Sequence, residues 1–346
     1  MNFRHLLAAC GLLAAAALPA RAEEITLKLH FHLPQTSFAN TLFIQPWCEK
    51  IAKESNQRMK CQIYPSMQLG GTPPQLYDQV KDGVADIVWT LPGYTSGRFP
   101  TVEAFELPFM MQSPAATSRA LWDYVQQHAQ NEFKDVKPLA FHVHGDGVFH
   151  MAGKPVRTMA DLRGLKLRAP TRLTNKYIAM LGATPVSMPV PQVGDALSKG
   201  VIDGAVVPYE VVPSVKLQEL AKFHSEIDPA EPAFYTSTFI FAMNKAKYES
   251  LPADLKKVID NNSGQALSGQ IGRAFLQADR EGKALVPAAS VNVIPASELA
   301  AWKALGNKLA ADWVKEMDGK GLNGTKLLED AKALIAKHAT TRVQMD

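Results

Sequence analysis

Leu27, Leu29 and Phe31 alternate with Lys28, His30 and His32, a period of two that predicts a half-buried strand. The spacing then becomes helical from Thr36 or Ser37 to about residue 54. A strand over 61–64, a helix over 74–82 and a buried strand at Ile87-Val88-Trp89 follow. A strand over 137–144 leaves this unit. Val156-Arg157-Thr158 opens a second one, with strand 165–168, helix 175–181, strand 184–186, helix 193–200 and strand 204–207. Residues 234–243 form a long β-rich run that reads as a return strand into the first sheet. Residues 254–286 are periodic throughout and predict one long helix.

Strands alternating with helices predict an α/β fold of parallel sheets covered on both faces. Two such sheets joined by crossing strands predict two domains around a cleft, with the crossings as hinge. Ligands of open α/β sheets sit beyond the carboxyl ends of strands, and interdomain clefts are favoured pockets. The expected bounds are a leader at 1–22, one domain at 23–145 plus 233–272, and a second at 146–232 plus 273–335.

The leader reads as an export signal. Arg4 and His5 precede an apolar run, and Ala20-Arg21-Ala22 is a small-residue cleavage site. Leu7-Ala8-Ala9-Cys10 resembles a lipoprotein box, but cleavage there leaves too short an apolar core, so soluble export to the periplasm is expected. No later stretch approaches the roughly 20 apolar residues of a membrane span. Losing Arg4 and Arg21 lowers the formal charge from +4 to +2. With no basic block among aromatics, a nucleic-acid role is excluded. The oxidising compartment bears on the two remaining cysteines. Cys48 lies late in a helix and Cys61 opens the next strand, a return that can bring them within bridging distance. Two buried thiols are the alternative.

The stretch Met159-Ala160-Asp161-Leu162-Arg163-Gly164-Leu165-Lys166-Leu167-Arg168-Ala169-Pro170 reads as a helical turn, a glycine stop and a strand ended by proline. It holds Arg168 at a strand mouth, where a guanidinium can grip a carboxylate with paired hydrogen bonds. Pattern alone favours a surface arginine on a half-exposed strand. The stretch resembles the core signature of the DctP-like solute-binding proteins of tripartite ATP-independent periplasmic (TRAP) transporters. Tyr64-Pro65-Ser66-Met67-Gln68-Leu69-Gly70, Gln79-Val80-Lys81-Asp82-Gly83-Val84-Ala85-Asp86, Glu106-Leu107-Pro108-Phe109 and Ala196-Leu197-Ser198-Lys199-Gly200-Val201-Ile202-Asp203-Gly204 are similar to further motifs of that family, in its order. The resemblance implies a two-domain periplasmic-binding-protein fold with a cleft, hinge strands and a long helix spanning both domains.

His142 and His144 share a strand face, with His150 beyond them, but only Asp146 is near enough to join a metal-ligand set. No metal and no cofactor are expected. These histidines read instead as cleft lining, an imidazole donating to a ligand oxygen. With no nucleophile elbow, His-Glu-x-x-His or phosphate loop, no enzyme is expected.

The resemblance also bears on the cleft. Members that bind sugar acids carry a second arginine twenty residues before the strand arginine, and an asparagine before the proline after Asp-Gly. Here these positions are Val148 and Val207. Leu91 takes a polar pocket position, flanked by Trp89 and Tyr94. His32 stands at a first-loop contact with Phe38 nearby, and Phe149, Tyr209 and Phe234 are further candidates. Trp89 and Phe234 lie inside strands and fit a core as well as a pocket. Arg172 and Lys154 are the only near candidates for a second cation. One carboxylate clamp among apolar and aromatic groups implies an organic acid, best an aromatic or bulky apolar 2-oxo or 2-hydroxy monocarboxylate. A monomeric receptor delivering it to TRAP membrane subunits is the function implied. A periplasmic sensor subunit and a periplasmic enzyme are the alternatives.

Overall fold

The structure, a computed structural model, describes residues 24–340, and the expected leader with Cys10 lies outside them. In chain order β1 (Ile25–Phe31), β2 (Met59–Tyr64), β3 (Ile87–Thr90) and β4 (Val136–Val143) belong to a first sheet. A second sheet takes β5 (Val148–Met151), β6 (Lys166–Ala169), β7 (Thr184–Ser187), β8 (Gly204–Val207) and β9 (Phe223–Glu226). The chain returns to the first sheet as β10 (Thr238–Asn244) and to the second as β11 (Val291–Val293).

The strand orders are β2-β1-β3-β10-β4 and β11-β9-β5-β8-β6-β7. Each sheet contains a parallel trio, β2-β1-β3 or β7-β6-β8, with a crossing strand antiparallel beside it, β10 in the first and β5 in the second. The expected parallel sheets are therefore mixed, and the reason is geometric. The trio strands end at the cleft. A chain crossing the cleft enters the other sheet at those ends and must run against them.

Both faces of the sheets are covered, so successive residues of a strand enter different cores. Val206 and Phe149 join one hydrophobic cluster, while Val207 and Val148 join the other. Pro138, which has no N–H to donate, falls where β4 slips register against Phe241 and Ala242 of β10. The helix Gln45–Glu54 packs on β2, and Cys48 and Cys61 are bonded across that contact with Cα atoms 5.7 Å apart. The disulfide reading holds and the two-thiol alternative falls.

Two expected elements are corrected. The single helix over 254–286 is two helices, Ala253–Asn261 and Gly264–Lys283. Asn262 and Ser263 turn their side chains back onto the carbonyls of Val258 and Ile259, and Gly264 has φ +86°. The Asn-Asn-Ser-Gly run is thus a helix stop. The strand expected from 234 begins only at Thr238. At that end, the Ser237 and Thr238 N–H groups donate to His144 Nε2 and Glu106 Oε1.

The helix Gly264–Lys283 does span both units. Ser268 Oγ accepts from the Phe141 N–H of the first sheet, and Asp279 Oδ1 accepts from the Glu210 N–H of the second unit. After β11 and the helix Ala296–Gly319, the helix Gly324–Thr340 packs on the helix Pro114–Tyr124, which lies against β4. Among the described residues no helix is long and apolar enough to cross a membrane.

Candidate ligand-binding site

Along β6, Lys166 is exposed while Leu167 and Arg168 are both buried, so the outward cationic face that alternation suggested ends before Arg168. Arg168 is only 1% exposed. Its Nε donates to Met188 O and its Nη1 to Val206 O, each at 3.0 Å. These carbonyls use two of the five N–H groups and fix the guanidinium plane. Nη2 is buried and makes no close hydrogen bond to the described residues, although the Tyr94 hydroxyl lies near enough to feel the guanidinium. A buried cation with an open donor edge is costly without an anionic partner, so this geometry is suited to a carboxylate.

Arg168 lines a narrow cavity between the units. His32, Trp89, Leu91 and Phe239 wall it from the first sheet, and His144, Tyr235 and Ser237 from the crossings. Arg168, Val190, Val207 and Glu210 wall it from the second unit. His32 stacks on Trp89 at 5.2 Å, and Trp89 stacks on Phe239 at 5.0 Å, both nearly coplanar. Behind them the Trp89 indole donates to His142 Nε2 at 2.8 Å, so His142 supports the wall without reaching the cavity. The void is a narrow slot with these rings along one wall.

Burial, then the Arg168 charge, holds the His32 imidazole down at about 3. Burial also brings His144 to about 3. His144 Nδ1 donates to Gly145 O at 2.7 Å and its Nε2 accepts from the Ser237 N–H at 3.0 Å. Both nitrogens are engaged, so His144 lines the site as a neutral wall and the donor role expected of it falls. His32 Nδ1 and Ser237 Oγ, by contrast, are buried without a partner among the described residues.

The remaining sequence candidates separate. Trp89 and Val207 line the cavity. The Tyr94 hydroxyl accepts from the Val190 N–H at 3.2 Å, strapping the units together, and its ring stands edge-on to His32 at 5.6 Å. Phe149 and Phe234 are core: their rings stack at 4.7 Å and meet Trp302 on the face away from the slot. Tyr209 turns toward His150, at 5.4 Å, and His224. Of the second-cation candidates, Arg172 is paired with Glu103 and, at 2.6 Å, with Glu316. Lys154 is exposed and off the wall. Arg168 is the one cation among the described residues of the lining.

Tyr235, Ser237, Phe239 and Glu210 line the site without having been singled out. Glu210 had a signal. It is the lone charge in the apolar run Val206-Val207-Pro208-Tyr209-Glu210-Val211-Val212, and a charge is rarely buried without a reason.

Comparison with known proteins agrees with this architecture. Residues 32–316 match the profile of DctP, bacterial extracellular solute-binding protein, family 7. A TRAP solute-binding protein from Rhodoferax ferrireducens T118, crystallised with copurified benzoate, is 52% identical with a TM-score of 0.90, covering 92% of this chain and 100% of that one. A marine-metagenome TRAP solute-binding protein specific for aromatic acid ligands, co-crystallised with 3-hydroxybenzoate, is 49% identical with a TM-score of 0.87, covering 91% and 99%. One from Bordetella bronchiseptica with bound (R)- and (S)-mandelate is 26% identical with a TM-score of 0.82, covering 90% and 99%.

Proposed function

Because the chain belongs to the bacterial extracellular solute-binding protein family 7, the DctP-like receptors of TRAP transporters, we propose that it captures an aromatic monocarboxylate in the periplasm and delivers it to a TRAP permease. The observation that carries this reading is the unpartnered Nη2 edge of Arg168, buried beside an aromatic slot. A carboxylate there completes the guanidinium, and a ring packed against the Trp89, Phe239 and Tyr235 side of the slot fills it. Ring contacts add about 0.5–1.5 kcal/mol beyond simple burial. The relatives crystallised with benzoate, 3-hydroxybenzoate and mandelate support the same class.

Other acids fit less well. A second carboxylate finds no second cation, and each hydroxyl of a sugar acid left unpaired among Leu91, Val190 and Val207 costs about 1–3 kcal/mol. A 2-oxo or 2-hydroxy oxygen beside the carboxylate has His32 and Ser237 as partners. Delivery rests on closure of the two units about the crossings, as in other hinged binding proteins. A thermal-shift panel tests the class. Benzoate, mandelate and phenylpyruvate should stabilise the protein, by about 2.7 kcal/mol at a hundred times Kd, while succinate and hexuronates should not. The reverse ranking would overturn the assignment.

A further inference from the structure

Glu210 belongs to the slot, yet a carboxylate-and-ring ligand gives it nothing to do. It sits in the helical turn Tyr209–Val215 that follows β8, is 1% exposed, and lines the cavity with Oε2 unpartnered among the described residues. Its position is fixed by its own N–H, which donates to Asp279 Oδ1 on the spanning helix at 2.9 Å. No hydrogen bond or ion pair to a basic side chain engages its carboxyl among the described residues, and Arg168 spends its bonds on Met188 and Val206. Burial, then Asp279, drives the Glu210 carboxyl well above its ordinary range. The Tyr94 and Tyr235 hydroxyls feel both the Arg168 and the Glu210 charge, whereas Arg168 is not among the charges acting on Glu210. Arg168 and Glu210 both line the slot, each with an unpartnered polar atom.

A neutral carboxyl offers one O–H donor and acceptor oxygens. The ligand group that matches both is a hydroxyl. An aromatic C–H at that place leaves a buried carboxyl unpaired, whereas a ring hydroxyl completes it. We propose that Glu210 reads a ring hydroxyl of the ligand while Arg168 holds its carboxylate, so that the ligands of this site are hydroxylated aromatic monocarboxylates. The inference rests on the aromatic-acid reading above and adds a second recognition point to it.

Calorimetry at neutral pH with benzoate, 3-hydroxybenzoate and 4-hydroxybenzoate tests it on the full mature chain, alongside Glu210→Leu and Glu210→Gln. In wild type one of the two hydroxybenzoates should bind about tenfold or more tighter than benzoate. In Glu210→Leu that ratio should fall to near one. In Glu210→Gln, whose amide keeps a donor and an acceptor and which guards against a folding defect in the leucine variant, part of it should remain. Benzoate binding with no hydroxyl preference in wild type, or a ratio unchanged in both variants, would overturn the role of Glu210 while leaving the aromatic-acid reading intact. Tighter binding of 3-(aminomethyl)benzoate than of either hydroxybenzoate would also overturn it, because the site would then hold an ionised carboxylate. Failure of all three benzoates to bind wild type would instead overturn the underlying reading.

Discussion

Gly93 lies against Thr171 across the cleft, so close that a Cβ on Gly93 would stand 2.5 Å from Thr171 Cγ2. Gly93 belongs to the turn Pro92–Tyr94 after β3, and Thr171 follows β6 directly ahead of Arg172. The closed units thus meet through a missing side chain, beside the Tyr94 strap and the Arg172–Glu103 pair.

Gly93→Ala should prop the cleft open. Overpacking of this kind costs about 1–3 kcal/mol, or about five- to a hundred-and-fiftyfold in affinity, and it acts on closure rather than on folding. Calorimetry and small-angle scattering of the liganded protein check it together: weaker binding and a larger radius of gyration are expected. Unchanged affinity and an unchanged scattering curve would show that the contact does not limit closure.

The Cys48–Cys61 bond closes a short loop, with a sequence separation of 13. Removing it in a Cys48→Ser, Cys61→Ser double variant should cost about 3 kcal/mol by the chain-entropy model. Urea denaturation measures the loss. A midpoint within error of wild type would mean that packing of the helix on β2 suffices.

Stability should depend on pH from two opposed sets of buried groups. Glu106 accepts from the Thr238 N–H and hydroxyl, and burial pushes its carboxyl up to about 7. An unfolded carboxyl ionises near 4. Between those values the folded chain keeps a proton that the unfolded chain has released, so stability falls as pH rises. His32, His142 and His144 are held by burial at about 3. Unfolded imidazoles take up protons below about 6.5, so these three make stability fall as pH drops from there toward 3. Denaturation of wild type and Glu106→Gln from pH 5 to 7 isolates one group. The wild-type curve should decline relative to the variant by about 2 kcal/mol in all across that range, flattening toward pH 7. Parallel curves would refute the assignment.

The β-α-β order, the return strand and the position of Arg168 were legible because strands and helices write their period into the sequence. The errors cluster where no period exists. Tyr209 was chosen where Glu210 faces the slot, and Phe234 where Tyr235 does, each one residue off in an irregular segment. Phe149 failed on parity: in β5 successive side chains enter opposite cores, and both cores are apolar, so hydrophobicity could not say which face meets the ligand. The helix break at Asn262 was visible as turn residues but was outweighed by the apolar period on either side. That Arg168 would be buried rather than half-exposed depended on strands far away in sequence, since Met188 and Val206 supply the carbonyls that hold it.

In the proposed function Arg168 grips the ligand carboxylate. Calorimetry of wild type, Arg168→Ala and Arg168→Lys with the tightest-binding acid of the panel tests it most directly. Losing the guanidinium leaves a buried carboxylate unpaired, at about 2–5 kcal/mol, or about thirty- to several-thousand-fold in affinity. Lysine should not restore it, because an ammonium is a point charge that cannot bond the Met188 and Val206 carbonyls and a carboxylate in the same plane. Binding by Arg168→Ala within a few-fold of wild type would contradict the account.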